Sequence, residues 1–207
     1  MKLVLALRRA GVTNRYVVSV MERTPRELFT PVAFKDSAYD DVTLPIGHHQ
    51  TLSQPAVVGM MTEALELTDR MKVLEVGTGS GYQTSILSPL CRRVYTIERH
   101  QPLLAEAEKR FEQLRLRNIT TKAGDGTLGW EIQAPFDRII VTAAAADIPP
   151  ILAGQLSVGG IMVVPIGYNA EFNTMLRVRR TEKGLETEEL HGVRFVPLIP
   201  EDAAAFA

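Results

Sequence analysis

The chain has 207 residues, of which 45% are hydrophobic and 23% charged, a composition that excludes disordered and collagen-like proteins. Its 23 basic and 24 acidic side chains give a net charge of −1, which provides no long-range attraction to nucleic acid or to an anionic membrane. One cysteine, Cys91, excludes an intrachain disulfide, and no apolar run reaches the ~18 residues of a membrane span. We therefore expect a reduced, cytoplasmic protein without a nucleic-acid or membrane partner.

The first part of the chain predicts short helices and loops. Thr24-Pro25-Arg26-Glu27 has the spacing of a capping box with proline at the first helical position, which predicts a helix beginning there. Residues 34–50 carry several Asp residues with a Pro and a Gly, and are predicted to be mostly loop. Ser53-Gln54-Pro55 then precedes apolar residues at helical spacing, so that another helix is expected to begin at this point.

From residue 71 onwards, strands and helices alternate. The predicted strands are residues 72–76, 94–98, 119–123, 138–142 and 161–164, and the predicted helices are residues 80–90, 102–116 and 149–156. Gly159-Gly160 is predicted to form a turn before the fifth strand. Two further β stretches, residues 174–180 and 190–196, follow with no obvious helix between them and predict an antiparallel addition. The alternation predicts an open α/β fold, in which a parallel sheet carries helices on both faces and a helical layer precedes it.

We expect one domain over residues 1–207 and a monomer. Within that domain, residues 1–70 are expected to form a helical cover, and residues 71–200 a sheet whose strand ends, described next, are expected to bind a cofactor. Residues 201–207 fit no motif and are expected to be a flexible tail.

A glycine-rich segment follows the first predicted strand of the sheet. Glu75 is followed by Gly77, Gly79 and Gly81, a G-x-G-x-G spacing that differs from the dinucleotide fingerprint and from the P-loop. An acidic residue before three alternate glycines suits the amino-acid portion of S-adenosylmethionine. Glu98 closes the next strand, where it is placed to accept hydrogen bonds from ribose hydroxyls. The alternative is that the glycines only make a tight turn between strand and helix.

Two further features bear on the ligand and the reaction. Asp125-Gly126 follows the third strand, where it can reach an adenine ring. Residues 141–146, at the end of the fourth strand, lack the Asn or Asp and the prolines that enzymes methylating base amines usually carry there, which argues against that reaction. The four histidines are not spaced to bind a metal together, which argues against a metal-assisted reaction.

A carboxylate that accepts the methyl group needs neither a base nor a metal, because it is ionised at neutral pH and requires only positioning and partial desolvation.

Several segments occur in an order that identifies a family. They are Thr51-Leu52-Ser53-Gln54-Pro55, residues 74–82, Gly124-Asp125-Gly126 with Gly129-Trp130, residues 134–137, and Phe195-Val196-Pro197-Leu198. Together they resemble the protein-L-isoaspartate O-methyltransferases over residues 13–198. The resemblance implies a Rossmann-like S-adenosylmethionine-dependent methyltransferase. It would methylate the carboxylate of isoaspartyl residues in damaged proteins, and the ester would then convert to a succinimide.

The resemblance also implies a set of site residues. Ser53 corresponds to the active-site serine of the family, and Arg194, Phe195 and Val196 to residues that bind the isoaspartyl substrate. The implied cofactor-binding residues are Gln50, Thr51, Leu52, Ser53, Glu75, Gly77, Thr78, Gly79, Glu98, Arg99, Asp125 and Gly126. No metal is implied. Relatives commonly have a second glycine near His49, and the two imidazoles of His48 and His49 could alter loop mobility or the response to pH.

Alternatives remain open at this point. Ser53 precedes a proline and an apolar-periodic run, so that it could serve only as the N-cap of the following helix. The protein could methylate another carboxylate or a hydroxyl, or it could bind the cofactor without catalysis. The presence of Ser53 together with residues 195–198 favours the isoaspartyl methyltransferase over both.

Overall fold

The computed structural model describes residues 2–167 and 172–200. The α-helices are α1 (Lys2–Arg9), α2 (Arg15–Arg23), α3 (Pro55–Ala64), α4 (Tyr82–Leu87), α5 (Gln101–Gln113) and α6 (Pro150–Gly154). The strands are β1 (Leu44–Gly47), β2 (Gln50–Leu52), β3 (Lys72–Val76), β4 (Arg93–Glu98), β5 (Ile119–Ala123), β6 (Phe136–Val141), β7 (Leu156–Ile166), β8 (Asn173–Thr181) and β9 (Gly184–Val193). Short 3₁₀ helices lie at Arg26–Phe29, Val32–Ser37, Ser88–Leu90, Gly126–Leu128 and Glu131–Gln133. No helix of the described residues is long and apolar enough to cross a bilayer.

A seven-stranded sheet in the order β5-β4-β3-β6-β7-β8-β9 forms the centre of the fold. The first five strands are parallel, and β8 and β9 are antiparallel additions. The predicted Rossmann-like α/β fold with antiparallel C-terminal strands is thereby confirmed. The last four residues of β3 are all buried, because the strand is covered on both faces, and three of them are apolar.

The side chains of β3 alternate between two parts of the core. Val73 packs in a cluster with residues of α3 and α4, which includes the buried Cys91. Leu74 and Val76 point the other way and pack in a cluster with Leu152 of α6. The strand-end residues that follow β3 therefore emerge between two packed layers, which hold their positions.

The N-terminal part differs from the prediction in two places. The segment at Thr24 forms only the 3₁₀ helix Arg26–Phe29, and Thr24 itself ends α2, because its hydroxyl donates to Val20 O at 2.9 Å. Residues 34–50 are not mostly loop, since they contain part of a 3₁₀ helix and the hairpin of β1 and β2. The turn of that hairpin holds His48 and His49 at positive φ.

The C-terminal part also corrects the predicted boundaries. Gly159-Gly160 does not form a turn before β7 but lies within it, where the pairing with β6 shifts register. β9 pairs along the whole of β8 and ends at Val193, so that residues 194–196 lie beyond the sheet. Past β9 the chain returns to the carboxyl end of β6, where Ala144 bridges Pro197. The predicted flexible tail, residues 201–207, lies outside the described residues.

Candidate active site

A cavity of about 310 Å³ lies at the carboxyl ends of β3, β4 and β6, where open α/β sheets bind ligands. Its walls come from the hairpin turn and the segment after it, from the loops that follow these three strands, and from the segment after β9. The lining consists of residues 48–53, 76–80, 97–100, 142–143 and 195–199, with Val58, Met61, Tyr82, Gln83 and Gly126.

The glycine loop forms the floor of the cavity and requires glycine at Gly77. This residue has a φ of +96°, and a Cβ added to it would lie 2.3 Å from Thr142 Oγ1. The loop is held to both neighbouring strands: Gly77 N donates to Ile97 O at 2.8 Å, and Thr142 Oγ1 donates to Gly77 O at 2.7 Å. The glycines make the tight turn between β3 and α4, and the same turn also lines the cavity. The two interpretations of the glycine-rich segment are therefore compatible.

Glu98 presents its carboxylate to the cavity although it is only 5% exposed. Its Oε2 accepts from Gly79 N at 2.8 Å, and its Oε1 accepts from His100 N at 2.9 Å. A carboxylate oxygen can accept more than one hydrogen bond, so that both oxygens retain capacity for ligand hydroxyls. This placement suits the predicted contact with a ribose.

Glu75 lies beneath the glycine loop and does not line the cavity. Its Oε2 accepts from Thr84 Oγ1 at 2.5 Å and from Thr96 Oγ1 at 2.6 Å, whereas Oε1 has no partner among the described residues. Burial raises the pKa of Glu75 to about 8, against the effect of the two hydroxyls. Thr96 Oγ1 also lies 2.6 Å from Thr78 Oγ1. Glu75 is therefore connected to Thr78 of the glycine loop through the hydroxyl of Thr96.

Asp125 also lies away from the cavity wall. Its Oδ1 accepts from Thr127 N at 2.8 Å and from Thr127 Oγ1 at 2.7 Å, so that it caps the 3₁₀ helix Gly126–Leu128. Gly126, the next residue, does line the cavity. Of the two predicted residues Asp125 and Gly126, it is thus Gly126 that lies at the cavity.

Ser53 lies in the cavity wall, between β2 and α3. The interpretation of Ser53 as N-cap is wrong: Gln54 holds that position and makes no side-chain capping bond. Ser53 Oγ has no hydrogen-bond partner among the described residues, while its carbonyl oxygen accepts from Arg26 Nη2 at 2.6 Å. The hydroxyl thus stands at the cavity with its donor available to a ligand.

Two histidines meet at the cavity in a contact that the sequence pattern gave no sign of. The rings of His48 and His100 stack with their centroids 5.4 Å apart and an interplanar angle of 27°. Burial lowers the pKa of His100, Glu98 opposes this, and Arg99 and His48 lower the pKa further. Arg99 also lines the cavity, and its Nη1 donates to Ile199 O at 3.1 Å, which attaches the segment after β9.

A wider groove of about 770 Å³ adjoins the cavity. It shares three wall residues with the cavity, namely Thr51, Phe195 and Val196. Arg194 lines the groove but not the cavity, and Phe195 N donates to Asn173 Oδ1 at 2.8 Å. An extended ligand in the groove would therefore reach the cavity at these three residues.

The structure brings most of the predicted site residues together. Those at the cavity are Gln50, Thr51, Leu52, Ser53, Gly77, Thr78, Gly79, Glu98, Arg99, Gly126, Phe195 and Val196. Glu75 and Asp125 stand behind the wall, and Arg194 belongs to the groove. Across residues 2–167 and 172–200, no three His, Cys, Asp or Glu side chains are grouped to hold a metal ion.

A family model and curated relatives match nearly the whole chain. The model for "Protein-L-isoaspartate(D-aspartate) O-methyltransferase (PCMT)" matches residues 1–203. The protein-L-isoaspartate O-methyltransferase of Rhodospirillum centenum is 56% identical over 203 residues, which is 98% of this chain and 92% of that relative. The one from Paracoccus denitrificans is 57% identical over 199 residues, 96% of this chain and 92% of that relative.

Solved structures agree in fold. One protein-L-isoaspartate O-methyltransferase superposes with a TM-score of 0.81 at 25% identity, over 95% of this chain and 65% of that one. A Plasmodium falciparum structure described as a beta-aspartate methyltransferase, in complex with S-adenosyl-L-homocysteine, gives a TM-score of 0.81 at 22% identity. That match covers 95% of this chain and 96% of the other.

Proposed function

The chain belongs to the protein-L-isoaspartate(D-aspartate) O-methyltransferase family, and we propose that it methylates the carboxylate of L-isoaspartyl residues in damaged proteins. S-Adenosylmethionine is the methyl donor, and the methyl ester starts repair because it converts to a succinimide. The observation that carries the proposal is the cavity beside the glycine loop, whose wall contains Ser53 and shares Thr51, Phe195 and Val196 with the adjoining groove. A small donor and a peptide acceptor can meet at such a junction.

The cavity fits the proposed donor in size and chemistry. A volume of about 310 Å³ is within the range of small-molecule sites, and its walls are largely apolar. We propose that Glu98 accepts from the ribose hydroxyls, that Gly77 and Gly79 border the methionine portion, and that Gly126 borders the adenine. When bound, S-adenosylmethionine supplies a methyl group on a positively charged sulfur.

The acceptor needs no proton removed before it reacts, because a carboxylate is ionised at neutral pH. The task of the protein is then to hold the carboxylate in line and to exclude water from it. We propose that the Ser53 hydroxyl donates to one acceptor oxygen and so directs the other towards the methyl group. Ser53 is an orienting group in this proposal and not a nucleophile.

The groove offers a backbone edge for the rest of the acceptor. Val196 N has no hydrogen-bond partner among the described residues, while Val196 O accepts from Ala144 N at 2.8 Å. An extended peptide could add to this edge through its main chain, as in other strand-addition complexes. Recognition through the main chain would allow many different sequences around the isoaspartyl residue.

We further propose that the protein acts as a cytoplasmic monomer on many different proteins. A net charge of −1 gives it no strong field that would select among them. We also propose a single domain, in which the residues before β3 act as a cover that carries Ser53 to the cofactor.

A methyl-transfer experiment with paired peptides tests the activity. One peptide contains an isoaspartyl residue and its twin has the normal aspartyl linkage at the same place. We expect labelled methyl groups on the isoaspartyl peptide alone. Equal labelling of the two peptides would favour a less selective carboxylate methyltransferase, and no labelling of either would favour a binding module; both results contradict the proposal.

A further inference from the structure

Arg26 is a fully buried cation that forms no ion pair among the described residues. It is 0% exposed, and its guanidinium donates to two backbone carbonyls, from Nε to Ala38 O at 2.8 Å and from Nη2 to Ser53 O at 2.6 Å. It also lies over the ring of Tyr82, 4.6 Å from its centroid. Burying a charge that no direct ion pair neutralises is costly, so that a gain in stability is a poor explanation for an arginine at this place.

A second arginine binds the same short helix from the side of the cofactor loop. Arg110 of α5 donates from Nε to Leu28 O at 2.9 Å and from Nη1 to Ser80 O at 3.1 Å. Leu28 belongs to the 3₁₀ helix Arg26–Phe29, and Ser80 is part of the glycine loop. Phe29, at the end of that helix, contacts the ring of Tyr82 edge-on at 5.3 Å.

These bonds connect the two walls of the cavity through one 3₁₀ helix. On the acceptor side the connection ends at the carbonyl of Ser53, and on the donor side it ends at the carbonyl of Ser80. We propose that Arg26 and Arg110 are positioning residues that set the place of Ser53 relative to the glycine loop. This inference rests on the proposed function, since Ser53 orients the acceptor there. Misplacement by about 1 Å can cost ~100-fold in rate, so that an in-line transfer gains from such a connection.

Lysine cannot replace Arg26 in this role. The guanidinium donates in two fixed directions, to Ala38 O and to Ser53 O, whereas an ammonium group is a single point on a flexible stem. For Arg26→Lys we expect kcat/KM for the isoaspartyl peptide to fall about 10-fold or more, with the Kd for S-adenosylmethionine changed less than about twofold. For Arg110→Lys we expect the Kd for S-adenosylmethionine to rise, because the glycine loop loses its support.

Arg138 offers a matched control. It is 7% exposed and donates to the backbone carbonyls of Leu65, Glu66 and Asp137, away from the cavity. Arg138→Lys should therefore lower Tm in the same way as Arg26→Lys but leave kcat and KM of the folded protein unchanged. If Arg26→Lys lowers Tm while its kinetic constants equal those of the wild type, the proposed positioning role is overturned.

A double-mutant cycle identifies the route through which Arg26 acts. Because it acts through Ser53, Arg26→Lys should cost little further in kcat/KM once Ser53→Ala is present. Independent, multiplying effects of the two substitutions would contradict the inference. Should Arg26→Lys not fold, Arg110→Lys, whose side chain is only partly buried, tests the other end of the connection: its Kd for S-adenosylmethionine should rise, and an unchanged Kd would contradict the inference.

Hydrogen exchange provides a measurement that does not depend on activity. Amides of residues 50–58 should exchange faster in Arg26→Lys than in the wild type, whereas Arg138→Lys should leave them unchanged. If the wild type methylates neither paired peptide, the proposed function fails, and this exchange result still decides whether Arg26 fixes the segment. Unchanged exchange in Arg26→Lys would overturn the inference even if the wild type is active.

Discussion

Replacement of Glu75 by Gln is expected to remove a pH dependence of the folding stability. Burial, together with the charge of Glu98, raises the pKa of Glu75 from 4.5 to about 8, although the hydroxyls of Thr84 and Thr96 lower it. Between these two pH values the folded protein keeps the proton while the unfolded chain has released it. The free energy of unfolding therefore falls as the pH rises from 4.5 to about 8.

The size of the effect follows from the difference between the two pKa values. Each pKa unit corresponds to about 1.4 kcal/mol, so that the loss across the whole interval is on the order of 5 kcal/mol. A glutamine has nearly the shape of the protonated acid. Its carbonyl oxygen can accept from Thr84 and Thr96 as Oε2 does, and its amide takes the place of Oε1, which has no partner among the described residues.

Urea unfolding at pH 5, 6, 7 and 8 measures the effect. We expect the wild type to lose stability over this range, and Glu75→Gln to change little, so that the variant is the more stable protein at pH 8. Glu66→Gln serves as the control, because Glu66 is an exposed carboxylate paired with Arg177 and Arg179 at the surface. Parallel stability curves for the wild type and Glu75→Gln would refute the assignment of a proton to this buried carboxyl.

Three further predictions concern the walls of the cavity. Ser53→Ala should lower turnover about 10- to 100-fold, the value of a hydrogen bond to a charged group, with little change in Tm because its hydroxyl has no partner among the described residues. Gly77→Ala should weaken S-adenosylmethionine binding and destabilise the fold by roughly 1–3 kcal/mol, because φ is +96° and the new Cβ meets Thr142 Oγ1. Replacing both His48 and His49 by Gly should raise the pKa of His100, since its ring becomes less buried and the repulsion from His48 is lost. An NMR titration of His100 and the pH profile of the rate measure this last effect.

Two of these variants have a control in the same chain. Gly11→Ala places a side chain at a φ of +80° with no atom within 4 Å, so that it separates backbone strain from the clash at Thr142. If Gly11→Ala weakens cofactor binding as much as Gly77→Ala, the clash is not the cause. His191→Gln removes an imidazole from β9 and should leave His100 unchanged. Equal losses of Tm and activity in Ser53→Ala, with turnover per folded molecule intact, would contradict an orienting role.

The central strands of the sheet could be predicted because burial on both faces favours short, mostly apolar segments, and residues 72–76 coincide with β3. Residues 119–123 coincide with β5, a partly buried edge strand, which could be predicted from its β-branched residues and its place in the alternation of strands and helices. The hairpin of β1 and β2 could not be predicted in this way, since its turn contains His48 and His49 at positive φ and lacks the Asn-Gly or Asp-Gly signal. Gly159-Gly160 suggested a turn because two adjacent glycines fit a turn as well as an irregular strand.

Some residues of the candidate site could be predicted from local sequence patterns, whereas others are brought there by contacts between distant parts of the chain. The glycine loop and Glu98 could be found from spacing, because both follow strands that are themselves predictable. Ser53 could be predicted to be an active-site residue from the family resemblance alone. The contacts of Arg26 and Arg110 could not be predicted, since their hydrogen bonds join segments far apart in the chain. A buried arginine and an exposed one look the same in a single sequence, so that no local pattern could separate them.

The buried position of Cys91 allows its thiol to report local opening of the hydrophobic core. The side chain lies in the cluster between β3 and α4, and burial raises the pKa of its thiol to about 12, so that it reacts as neither thiolate nor surface thiol in the folded state. A thiol reagent can modify it only when this face of the sheet separates from its helices. The labelling rate of the unmodified chain, with its one cysteine, thus measures how often that layer opens.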